Sequence, residues 1–86
     1  MKTALITGAT SGIGKATAEK KKKNNWRLII CGRNAEVLSQ MKADLSVSTE
    51  IVTLNFDIRE FSQVEKAINS IPENWKKIDV LMNNAG

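Results

Sequence analysis

The residues best suited to chemistry are Thr7-Gly8-Ala9-Thr10-Ser11-Gly12-Ile13-Gly14, which follow the apolar run Ala4-Leu5-Ile6 and lead into a helix-compatible stretch. A strand, a glycine turn and a helix N-terminus in that order suit the phosphates of a dinucleotide. Glycine permits the tight bend and a close backbone approach to pyrophosphate, and the helix start offers free N–H groups and the positive end of its dipole. An ordinary glycine turn remains the alternative for the loop taken alone. The spacing at 8, 12 and 14 reads G-x-x-x-G-x-G, not G-x-G-x-x-G. A phosphate loop of the ATPase type is disfavoured, because Ala9 and Ala16 stand where that motif needs a glycine before and a hydroxyl after Gly14-Lys15.

This turn resembles the first signature of the short-chain dehydrogenase/reductase family, T-G-x-x-x-G-I-G. The segment Asn83-Asn84-Ala85-Gly86 is similar to that family's second signature, N-N-A-G, at the end of an expected fourth strand. The two in order and at this separation are far more specific than either alone. The segment from Ile71 to Asp79 looks similar to the NADP-dependent branch that oxidises serine and small 3-hydroxy acids. The resemblance covers the whole chain but only the opening part of a typical family member. It implies hydride transfer between a nicotinamide dinucleotide and a small alcohol or carbonyl substrate, and a homo-oligomer for the complete protein.

Cofactor choice is read at the end of the second strand, where NAD enzymes place a carboxylate on the adenosine ribose. Here the segment is Cys31-Gly32-Arg33-Asn34, with no carboxylate. The Arg33 guanidinium can pair bidentately with a 2′-phosphate, and a solvated loop arginine is the competing reading. The resemblance tips the choice to NADP over NAD. It also implies that Asp57, at the end of the third strand, accepts a hydrogen bond from the adenine amino group and that Ile58 flanks the ring. Asp57 and Glu60 also have the spacing of a capping box, although that box prefers Ser or Thr first. The resemblance further implies that Asn83-Asn84-Ala85-Gly86 supports the sheet through side-chain hydrogen bonds and lines the ribose with its backbone.

The family moves its proton with a Tyr-x-x-x-Lys pair assisted by Ser, the lysine lowering the tyrosine pKa. The sequence contains no tyrosine. No catalytic residue is therefore expected within these residues, and the isolated chain is expected not to turn over. The stop on a motif glycine gives the expectation that residues 1–86 are one dinucleotide-binding unit, the N-terminal part of a longer fold. The alternative is a non-catalytic nucleotide-binding or interaction module, with a partner covering the edge of the fourth strand.

The elements that must position these residues follow from periodicity. Lys2–Thr7, Arg27–Cys31, Glu50–Phe56 and Ile78–Met82 read as short apolar strands, the kind buried on both faces of a parallel sheet. Helical spacing joins Val37, Leu38, Met41 and Leu45, and again Phe61, Val64, Ile68 and Ile71, with Pro72 ending the latter helix. The expected fold is α/β, a Rossmann-like doubly wound parallel sheet, β-α-β-α-β-α-β, strand order 3-2-1-4.

The first helix departs from this plan. Ile13 and Thr17 start an inward face that would continue at Lys20, Lys21 and Asn24, inside the run Lys20–Lys23. At least one lysine must face the sheet, or the helix must fray. Each apolar side chain missing there forfeits roughly 1.5 to 3 kcal/mol of burial, although a lysine stem can snorkel.

At 86 residues, with 42% hydrophobic content, the chain has the composition of one small folded domain. No apolar run suits a membrane span and the N-terminus carries no secretory segment, so no membrane association and a cytoplasmic setting are expected. One cysteine, Cys31, reads as a buried reduced thiol, and with no histidine a metal site has little to build on. The net charge of +4 permits nucleic-acid contacts. Nucleic acid is disfavoured as a partner, because Trp26, Trp75, Phe56 and Phe61 all sit at positions that read as structural.

Overall fold

The apolar runs and amphipathic stretches fold into β1 (Thr3–Thr7), α1 (Gly12–Lys23), β2 (Arg27–Gly32), α2 (Ala35–Leu45), β3 (Ile51–Asn55), α3 (Phe61–Asn69), a 3₁₀ turn (Glu73–Trp75) and β4 (Val80–Asn83). The structure is a computed structural model and describes residues 1–47 and 49–84. All four strands are parallel, in the expected order β3-β2-β1-β4. Their register pairs Thr7 with Asn83 and Gly32 with Asn55, so the C-terminal ends of all four strands share one edge of the sheet.

The central strands β1 and β2 are buried on both faces. Ala4, Ile6, Leu28 and Ile30 pack under α1 and α2 with Leu38, Met41 and Leu45. Leu5, Ile29 and Cys31 pack on the opposite face with Leu54, Phe56, Ile71 and Trp75. The outer strands correct the expectation of burial on both faces. Val52 and Thr53 are half-buried and Leu81 is 67% exposed. An outer strand has a neighbour on one side only, and α3 contributes no buried residue to cover that face.

Two helix faces also differ from expectation. In α1, Ile13 is 72% exposed, and the inward residues are Gly14 and Ala18. The helix lies against the loop so closely that a Cβ added at Gly14 would overlap the Gly8 carbonyl oxygen and lie 2.7 Å from Ala9 Cα. Small residues therefore mark the buried stripe, and the largest apolar residue lies off it. The lysine run stays helical to Lys23. Lys21 turns inward and sets its ammonium 4.2 Å from the centre of the Trp26 ring, while Lys22 pairs with Glu19 at 3.6 Å. Lys20 and Lys23 are exposed, as is Asn24. The chain leaves the helix through Asn25 at φ 64°, a left-handed conformation that asparagine tolerates.

In α3, Phe61 is 80% exposed and Ile68 43% exposed, so the expected apolar stripe is buried only in part. The helix ends at Asn69, and Ile71 reaches the core from the connection that follows. Of the four aromatic positions read as structural, Phe61 alone stands in solvent.

Candidate functional site

A cleft of about 430 Å3 opens at the C-terminal edge of the sheet. Its floor is Thr7, Gly8, Cys31 and Gly32, and its far wall is Phe56 to Arg59. Parallel strands all deliver their ends here, which is where open α/β sheets bind ligands.

The glycine loop is built by few contacts. Gly8 adopts φ 59°, a left-handed turn that costs glycine little. Ala9 is fully buried under the loop, its N–H donating to the Cys31 carbonyl at 3.0 Å. Ser11 caps α1, its hydroxyl donating to Gly8 O at 2.8 Å and accepting from Gly14 N–H at 3.0 Å. The N–H groups of Gly12 and Ile13, the first two of α1, have no partner among the described residues. Around Gly12 a Cβ would meet nothing within 4 Å. Two free donors and the positive helix end thus face open space, the arrangement an anion requires.

The opposite side of the cleft carries the charges. Arg33 is exposed and makes no hydrogen bond or ion pair among the described residues. Asp57 is held by Arg59. Its Oδ1 accepts from the Arg59 backbone N–H at 3.0 Å and from Nε at 3.2 Å, and its Oδ2 accepts from Nη2 at 2.9 Å. These bonds, with smaller attractions from the Arg59 and Arg33 charges, hold the Asp57 carboxyl down at about 2. The capping-box reading is corrected here: Glu60 is the residue that precedes α3, with no side-chain cap bond, and the Asp57 oxygens are engaged by Arg59. Burial pushes the Cys31 thiol on the floor up to about 12, so it stays protonated and unreactive near neutrality.

Of the residues singled out in the sequence, Gly8, Thr10, Ser11, Arg33, Asp57, Ile58 and Asn84 line the cleft. Gly12 and Ile13 stand beside it at the start of α1, and Ala9 and Gly14 support the loop from beneath. Asn34 caps α2 instead of lining the cleft, its Oδ1 accepting from Val37 N–H at 3.1 Å. Asn83 ties the sheet together, accepting from the Thr7 hydroxyl at 2.8 Å. The Asn84 Nδ2 is buried with no hydrogen-bond partner among the described residues. Ala85 and Gly86 lie outside the described residues. Phe56 and Arg59 in the far wall are not among the site residues expected from the sequence, and Arg59 is the charged one. Its signal was a cation two positions after a carboxylate at a strand end, within reach of an Asx-type turn.

Comparison with known proteins agrees with this fold. A family model described as short chain dehydrogenase matches residues 2–86. The chain belongs to the short chain dehydrogenase family. It is 44% identical over 84 residues to a serine 3-dehydrogenase of Agrobacterium fabrum, covering 98% of this chain and 33% of that protein. It is 38% identical over 82 residues to an NADP-dependent 3-hydroxy acid dehydrogenase of Salmonella typhi, covering 95% and 32%. These relatives match the branch to which Ile71–Asp79 bears its similarity. Among solved structures, L-sorbose reductase from Gluconobacter frateurii, complexed with NADPH and L-sorbose, superposes with a TM-score of 0.91 at 29% identity, over 99% of this chain and 33% of that one. The chain spans about a third of the length of the curated relatives it matches.

Proposed function

We propose that this chain forms the NADP(H)-binding unit of a cytoplasmic oxidoreductase that transfers hydride between the nicotinamide and a small alcohol or carbonyl substrate. The observation that carries the reading is a cleft with two unpaired helix N–H groups, those of Gly12 and Ile13, beside it at the glycine loop and the unpaired Arg33 guanidinium in its opposite wall. That donor set fits a dinucleotide with an added phosphate. The Gly12 and Ile13 N–H groups would hold the pyrophosphate, with Gly12 leaving the backbone bare for close approach. Arg33 would pair with the 2′-phosphate, Asp57 would accept from the adenine amino group, and Ile58 would cover the ring. The orphaned Asn84 amide adds one donor at the sheet end of the cleft. When bound, the nicotinamide supplies or accepts the hydride.

The similarity to NADP-dependent relatives supports the cofactor assignment, and the family habit of assembling supports a homo-oligomer for a complete protein. The chain's own residues bind and orient. With no tyrosine in the sequence, the proton-transfer pair of the family has no counterpart in these 86 residues, and the chain by itself is inactive.

Titration calorimetry with NADP+ and NAD+ tests the assignment. NADP+ should bind tighter by about one to two decades, the worth of charge-assisted hydrogen bonds, and Arg33→Asp should reverse the order. Equal affinities in the unmutated chain would sink it. The same preparation should show no turnover of 3-hydroxy acids above background, and measurable turnover would require another acid and base.

A further inference from the structure

We infer that Arg59 is a positioning residue that fixes Asp57 as a reader of the purine 6-amino group. The inference rests on the binding mode proposed above, in which Asp57 faces the base. A carboxylate offers about four acceptor positions, and Arg59 takes both on Oδ1 and one on Oδ2. A single position, on Oδ2, is left for a ligand. The turn beneath is closed as well: Asp57 N–H donates to Gln63 Oε1 at 3.0 Å and Glu60 N–H to the Asp57 carbonyl at 2.9 Å. The carboxylate can neither rotate nor move without breaking several bonds at once.

The two arginines of the cleft therefore do different work. Arg33 is uncommitted and available to an anion, whereas Arg59 is spent on Asp57 by a fork of two parallel bonds. An ionised carboxylate only accepts. Held in one place, it favours a base that presents an N–H at position 6, which adenine does, and repels one that presents an oxygen there, as hypoxanthine does. Released from Arg59, the carboxylate can turn to solvent, and the preference weakens. The Arg59 side chain is 72% exposed, so its replacement removes no core packing.

The test compares NADP+ with deamino-NADP+, which carries hypoxanthine, by calorimetry on this chain and on R59Q, R59K and D57N, each checked for native circular dichroism. The unmutated chain should prefer NADP+ by about 10-fold or more, the lower bound for a charge-assisted bond. R59Q should lower that ratio about 3- to 10-fold through NADP+ alone, and R59K should restore part of it, since lysine supplies charge without the fork. A merely structural role would weaken both ligands alike and leave the ratio intact. An unchanged ratio in R59Q, with D57N abolishing it, overturns the role of Arg59 and leaves the base reading standing. Equal binding of the two ligands by the unmutated chain, no binding of either, or a D57N ratio like the native one overturns the base reading and the inference together.

Discussion

The two faces of the sheet are covered in different ways. On one face α1 and α2 close over Ala4, Ile6, Leu28 and Ile30, and α2 drives Leu38, Met41 and Leu45 into the core. On the other, α3 fully buries no residue and packs only the half-buried Val64 and Ala67 against the core, and the buried cover comes from Ile71 and Trp75 in the connection to β4. Arg27 fastens that connection, donating to Asn74 O at 3.1 Å and stacking 4.1 Å above the Trp75 ring. Leu81, Phe61 and Ile68 stay in solvent on this side. An amphipathic stripe is thus necessary for a helix to seat on a sheet but does not decide how deeply it seats. Depth is set by the side chains that meet the sheet: α2 buries Leu38, Met41 and Leu45, whereas α3 packs only the half-buried Val64 and Ala67.

The largest test of this contrast pairs two residues that periodicity placed on equivalent stripes. Leu38→Ala should cost about 2 to 5 kcal/mol, because Leu38 is 1% exposed and leaves a cavity, enough to unfold so small a domain. Phe61→Ala, at 80% exposure, should stay within about 0.5 kcal/mol. Similar shifts in urea midpoint for the two would mean that α3 is seated as firmly as α2.

A smaller effect is expected in the lysine run on the closed face. Lys21→Leu exchanges a cation over Trp26, about 0.5 to 1 kcal/mol, for apolar surface of similar or greater worth, so the midpoint should rise slightly and the rise should survive high salt. Lys20→Ile, at an exposed position, should leave the midpoint unchanged. A gain at position 20 and none at 21 would reverse the observed phase of α1.

The smallest effect is the acid response at the head of α3. The folded pKa of Asp57 lies below its ordinary value, so its pairing with Arg59 stabilises fully above the unfolded value of about 3.9 and is lost as pH falls through about 2. Hydrogen exchange should show α3 amides losing protection over that window before those of α2, and R59Q should abolish the difference in response. Simultaneous loss in both helices would mean that the clamp does not act on α3 in particular.

The cleft was legible in the sequence to the extent that backbone geometry makes it. Gly8 and Gly14 must be glycine, one for a left-handed turn and one for contact with the loop, so their spacing carries the site in one dimension. Arg59 was not legible as part of it, because its role depends on a turn that folds it back onto Asp57. Asn34 was placed at the ligand from its neighbourhood in sequence, whereas its side chain is taken by the helix it starts.

By itself, the sequence determined strand order, element type and the chemistry of the loop, because apolar runs, glycines and caps act through local geometry and through a parallel sheet that admits few topologies. Tertiary structure alone decided which side of α1 faces inward, how little α3 buries, and that Arg59 is tied to Asp57. Each of these depends on what lies across a gap from the residue: the Gly8 carbonyl at Gly14, uncovered solvent at Phe61, and the Asp57 carboxylate at Arg59. Local pattern limits the choices, and packing against distant residues makes them.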